Sequence, residues 1–241
     1  MFGAKSISKL FLGSMLLIMP AGSFAYVDDA GIMDHFNYAN DQCLYDYLNQ
    51  NDYKFYSKDR WSDAYLKKDH SLFMTISNNP LAGLRRQSGL LYTILIMKPG
   101  YQTDKGIEVG MSLEQVIAAY GELLYSGDVD KYRNIPNTGY ALEGTYTFKT
   151  KYGDQERFKY YMISYFDLDS HWVEFLVDKS SKKVKAIGYF YGDPRSGISN
   201  NRDLVYELND WGLWPVVLAD RINEHPLKSS WRAIADAWKG I

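Results

Sequence analysis

The chain predicts an α+β fold in which an antiparallel sheet of at least four strands is covered by helices. Three observations carry that expectation. Residues 141–191 place apolar and polar side chains at the two-residue period of strands, with short turn sequences between the runs. Residues 110–121 read as a short helix whose start, first turn and end are all specified. Residues 200–240 carry two apolar stripes at helical spacing.

In chain order, residues 1–25 have the pattern of a signal peptide. Lys5 and Lys9 precede an apolar run over 10–19, Pro20 breaks it, and Ser23-Phe24-Ala25 puts small residues where a signal peptidase reads them. The expected cut follows Ala25, which implies a secreted or periplasmic protein; an uncleaved anchor is the alternative. No later run reaches the ~18 consecutive apolar residues a membrane-spanning helix needs. After the cut, 25 basic and 29 acidic residues remain, so the charge does not suit a nucleic-acid partner.

Residues 26–99 read as an N-terminal extension. Leu44, Tyr47 and Leu48 suggest a helix over 41–50, with Cys43 as a small buried apolar residue on it. One cysteine makes no intramolecular disulfide, so stability rests on packing. Residues 51–70, dense in Asp, Lys and Tyr, read as a solvated connection with one short helix over 61–67. The apolar and β-branched run 90–97 reads as a buried strand ended by Lys98-Pro99-Gly100.

The helix over 113–120 is specified most fully. Ser112 can cap it and Gln115 can return the bond, with Met111 and Val116 in the staple positions, Glu114 in the first turn and Gly121 in a left-handed conformation at the end. Four strands follow, over 141–149, 158–166, 172–177 and 184–191, as a meander with one apolar face. On the second of these, Tyr160, Met162 and Ser164 face one way and Tyr161, Ile163 and Tyr165 the other. Residues 193–241 read as a helical segment packed on the same body. Leu204, Val205, Leu208 and Trp211 form a stripe starting after Asn200 or Asn201 and stopping at Gly212; Trp214-Pro215 interrupts; Trp231, Ile234, Ala235 and Trp238 form the second stripe. Both stripes read as core, and the sharper alternative makes Trp231 and Trp238 an exposed binding patch.

Gly110-Met111-Ser112-Leu113-Glu114-Gln115-Val116, followed by Ala119-Tyr120-Gly121, resembles the opening motif of several bacterial envelope families. These are the β-lactamase inhibitor protein repeats, the small outer-membrane assembly lipoproteins and many uncharacterised exported proteins of firmicutes. The resemblance spans about residues 106–191 and implies a helix on an antiparallel sheet, in an extracytoplasmic compartment. It implies no chemistry, because Gly110, Met111, Ser112, Gln115, Val116 and Gly121 are cap, staple and core positions. The chain departs from those families at Gly121-Glu122-Leu123, where a second glycine-proline element is expected, and in lacking a lipoprotein cysteine.

Candidate chemistry is sparse. His35, His70, His171 and His225 stand apart, without zinc spacings, and no phosphate-loop, dinucleotide-binding or nucleophile-turn motif occurs, so no metal and no cofactor is expected. Asp167, Asp169, His171 and Glu174 form the best acidic cluster, readable as a carboxylate or metal-assisted hydrolytic site or as a polar turn, and Asp128 with Asp130 forms a weaker one. The preferred expectation is a non-enzymatic binding or interaction protein of the bacterial envelope, with another envelope protein or a cell-wall component as partner. The alternatives are a hydrolase and a purely structural module.

Overall fold

The best-specified helix is the one whose signals are local. In the computed structural model, which describes residues 25–26, 48–59, 62–77, 91–124, 138–166, 171–191 and 203–223, helix α1 spans Leu113–Tyr120. Its capping box is complete: the Gln115 amide donates to Ser112 Oγ at 3.3 Å, and the Ser112 amide donates to Gln115 Oε1 at 2.9 Å. Replacing Ser112 with Ala is therefore expected to cost about 1 kcal/mol, read as a shifted urea midpoint at unchanged slope. The end differs in detail from expectation. Gly121 has φ +114° and ψ −177°, an extended region open mainly to glycine rather than the left-handed helical one, and its amide still donates to Ile117 O at 2.8 Å.

Among the described residues the main sheet has nine strands, mostly antiparallel. They are β2 (Tyr53–Lys58), β3 (Ser62–Lys67), β4 (Leu72–Ser77), β5 (Leu91–Ile96), β7 (Glu122–Leu124), β8 (Thr138–Lys149), β9 (Gln155–Phe166), β10 (His171–Asp178) and β11 (Val184–Tyr191). Two-residue strands β1 (Ala25–Tyr26) and β6 (Tyr101–Gln102) pair separately, in parallel. The spatial order β2-β3-β4-β5-β11-β10-β9-β8-β7 joins two meanders through their last strands, with Ile96 opposite Ile187 and Ile94 opposite Tyr189. Among the described residues only β7 runs parallel to its neighbour in this sheet.

Two expectations for residues 51–70 are corrected here. The segment is a pair of strands rather than a solvated connection, and 62–67 is strand β3 rather than helix. Ser62 and Ala64 are fully buried but small, so no apolar period marks them, and a bulge between Phe55 and Ser57 breaks the alternation of β2. Strand β4 has no counterpart in the sequence reading; the expected helix over 41–50 is seen only at 48–50, the rest lying outside the described residues.

Each face of the sheet carries an apolar cluster, not one face alone. Tyr161, Ile163 and Tyr165 of β9 enter a cluster with Val173, Phe175, Ile94 and Ile96, which Leu113, Val116 and Tyr120 of α1 also join. Tyr160 and Met162 turn to the other side, into a cluster with Phe73, Leu95, Phe158 and Phe190. That second cluster takes in helix α2 (Leu204–Asp210) through Leu204 and Leu208, and helix α3 (Trp214–Val217) through Trp214 and Val217. Trp214 lies on Tyr146 with ring centroids 4.1 Å apart, almost parallel. A short helix α4 (Ala219–Asn223) follows, with Arg221 over the Phe158 ring.

Candidate functional site

Glu174 is the one member of the sequence-predicted acidic cluster whose side chain is described. Asp167 and Asp169 lie outside the described residues; the His171 backbone pairs with Tyr191 in β10, and its side chain is likewise outside the description. Trp231 and Trp238 also fall outside. Among the described residues no group of three or more His, Cys, Asp or Glu side chains is placed to hold a metal ion. No described helix is long and apolar enough to cross a membrane.

Glu174 sits on the α2 side of the sheet because Val173 and Phe175, its neighbours along β10, point to the α1 side. Its side chain is buried, at 3% exposure. Ser164, its partner in register on β9, donates from Oγ to Glu174 Oε1 at 2.9 Å. The Leu204 amide, at the first helical position of α2, donates to Oε2 at 2.6 Å. Gly188, the partner on β11, leaves the space that α2 uses: a Cβ there would lie 3.3 Å from Leu204 Cδ1 and 2.7 Å from Phe190 Cε2. The start of α2 is thus held twice, by Glu174 from within the fold and by Asp203, whose carboxylate accepts from the Tyr206 amide at 2.7 Å.

Burial pushes the Glu174 carboxyl up to about 8, with Asp203 adding repulsion, against the hydrogen bonds from Leu204, Ser164 and Trp172. Such a group carries a proton at neutral pH, which general-acid chemistry requires. Its oxygens are nevertheless both engaged inside the protein.

A second polar group lies on the α1 side. Tyr120, at the end of α1, donates from its hydroxyl to Asp104 Oδ1 at 2.7 Å, and Tyr189 OH reaches the same oxygen at 3.5 Å. Burial, then the neighbouring Tyr189, pushes the Tyr120 hydroxyl well above its ordinary value, so it stays a donor. Lys105 lies over the Tyr120 ring at 4.6 Å.

Comparison with protein-family models, with curated proteins and with solved structures returned no match. The residues that carry the resemblance to the envelope motif have structural duties. The Gly110 amide, at φ +99°, donates to Val184 O at 2.9 Å, Met111 O accepts from the Val184 amide, and the Leu113 amide donates to Lys182 O, which ties the start of α1 to the β10–β11 turn. Sequence reasoning missed Ser164 and the Leu204 amide as partners of Glu174, and Asp203 as its charged neighbour. Only Ser164 left a trace in the sequence, because both residues take the same face of adjacent strands.

Proposed function

We propose that this chain is an exported, non-enzymatic binding protein of the bacterial envelope, its sheet covered by helices and its partner another envelope protein or a cell-wall component. The compartment is supported by the signal-like order of Lys5, Lys9, the apolar run over 10–19 and Ser23-Phe24-Ala25. The single observation that carries the binding reading is where charge is accessible. The acid with a chemically poised carboxyl, Glu174, is sealed under α2, while exposed charged side chains stand at the far end of the β8–β9 hairpin, on the α1 side beyond buried Ala141 and Tyr161.

The elevated Glu174 carboxyl favours one second reading, a hydrolase with a carboxylate or metal-assisted site that uses it as proton donor, with Asp167, Asp169 and His171 of the acidic cluster as its companions. The two readings separate in one experiment. The purified protein is expected to retain envelope proteins or cell-wall fragments in a pull-down and to leave isolated envelope polymers uncut. Hydrolysis of such a polymer, abolished by Glu174→Gln in a protein that stays folded, would replace the binding reading with the enzymatic one.

A further inference from the structure

Strands β8 and β9 pair without a register break, from Gly139 opposite Tyr165 to Lys149 opposite Gln155. Alternation therefore assigns their side chains cleanly to two faces. On one face Tyr146, Phe148, Phe158 and Tyr160 belong to the cluster that includes Trp214. On the other, beyond buried Ala141 and Tyr161, the hairpin presents Thr145, Thr147 and Lys149 on β8 and Arg157 and Lys159 on β9, all exposed. Thr145 stands opposite Lys159 and Thr147 opposite Arg157. At the inner end of this strip Lys179 and Lys182 lie over the Tyr161 ring, at 5.2 and 4.5 Å, and the acid beside them, Glu143, is already paired with Lys179. Among the described residues no acid pairs with Lys149, Arg157 or Lys159.

A concentrated positive strip on a chain of formal net charge −2 selects an anionic partner. The geometry of the strip narrows the kind. Residues two apart on a strand recur at about 6.7 Å, so Arg157 and Lys159 meet successive charges of a linear chain. An acidic peptide is a poor occupant, because laid across the face its own amides are left without partners. Added as a strand to β8, whose outer side is paired only over 138–140 among the described residues, it would stand two strand spacings, about 9.6 Å, from Arg157 and Lys159 on β9. A flat bilayer is a poor one too. Helix α1 stands on the same side of the sheet, with its start held against Lys182, and a helix ~10 Å thick keeps a planar surface off the strip. A narrow, flexible polyol-phosphate chain meets neither obstacle, and the threonine hydroxyls add donors between the charges.

We propose that the Thr145, Thr147, Lys149, Arg157 and Lys159 face of the β8–β9 hairpin binds a linear phosphate-bearing polyanion of the cell envelope. The inference rests on the binding reading above and names the partner's chemistry. Binding of the full chain to long-chain inorganic polyphosphate, followed by fluorescence anisotropy, tests it. Arg157→Glu with Lys159→Glu is expected to weaken binding at least tenfold, while Lys54→Glu with Lys58→Glu, the same charge change on exposed residues of β2, moves it less than twofold. With three charged contacts, from Lys149, Arg157 and Lys159, raising salt from ~50 to ~200 mM should weaken binding by roughly 20-fold. Thermal melts confirm that both variants remain folded.

Equal loss in the two double variants, or no binding to polyphosphate, overturns the proposal. So does tighter binding to poly-L-glutamate, or capture by phosphatidylglycerol vesicles alone. If the hairpin variant still retains envelope material in the pull-down, the strip is wrong and the binding reading stands; if the protein cuts the polymer, the binding reading itself falls.

Discussion

Gly139→Ala is expected to destabilise the protein by about 2 to 3 kcal/mol, lowering its melting temperature by roughly 5 to 10 °C. Gly139 sits directly opposite Tyr165 on β9, and the Tyr165 ring occupies the space where a side chain would stand. A Cβ at 139 would lie 2.5 Å from Tyr165 Cζ, 2.6 Å from its Cε1 and 2.8 Å from Leu123 Cδ2. The ring has little freedom to move aside. Its hydroxyl donates to Gly121 O at 2.9 Å, and it packs against Tyr120 and Phe175 with centroids 5.1 and 6.2 Å away. The entropy that alanine removes from the unfolded chain returns only ~0.4 to 1 kcal/mol. Tyr165→Ala opens the space, so the cost of Gly139→Ala should largely vanish in that background, and a double-mutant cycle reads the difference. An unchanged cost once the Tyr165 ring is gone would mean that the strand backbone, not the ring, sets the requirement for glycine. The same device recurs at Gly144, where a Cβ would run into the Tyr160 ring on the opposite face.

These glycine–tyrosine pairs show what was legible in the sequence and what was not. The alternation through residues 158–166 predicts which side chains part to which face, and the two clusters divide Tyr160 and Met162 from Tyr161, Ile163 and Tyr165 accordingly. It does not reveal that both faces are buried, because period two marks opposition and not solvent. Helix α1 was legible because each of its start signals acts within four residues of Ser112. Strands β2 and β3 were not, since the β2 bulge disrupts its period and buried Ser62 and Ala64 lack the bulk that would betray an interior position. The start of α2 is displaced from the sequence reading: Asp203, three residues before Tyr206, caps it, whereas the apolar stripe points to Asn200 or Asn201, which lie outside the described residues. Glu174 invites a chemical reading because its acidic neighbours are near in sequence. What defines its position is the Leu204 amide, thirty residues away, and nothing in a local window carries that contact.

Glu174 also makes stability depend on pH in a direction opposite to that of a carboxylate held by a salt bridge. Burial holds its carboxyl at about 8 in the folded protein, against 4.5 for an unperturbed glutamate. Between those values the folded state keeps a proton that the unfolded state has released, so the contribution is full below about pH 4.5 and falls until pH passes 8. At ~1.4 kcal/mol per unit, the loss across that window is of order 5 kcal/mol. The geometry says where it acts. Deprotonation leaves a carboxylate sealed beside Asp203 at the join between β10 and α2, where the Leu204 amide and the Ser164 hydroxyl donate to it at 2.6 and 2.9 Å. Glu174→Gln keeps an oxygen for the Leu204 amide and can donate to Ser164 Oγ, yet does not titrate. The stability difference between wild type and this variant, from urea unfolding at pH 5 to 9, is therefore expected to change sign, with wild type favoured in acid and the Gln variant favoured above pH 8. Asp203→Asn retains a capping side chain while removing a repelling charge, so the folded-state carboxyl of Glu174 moves down toward its ordinary range. The window between the folded and unfolded values then narrows from above, and the total loss should shrink in that background. A constant difference between wild type and Glu174→Gln at every pH would show that Glu174 does not hold its proton in the folded protein.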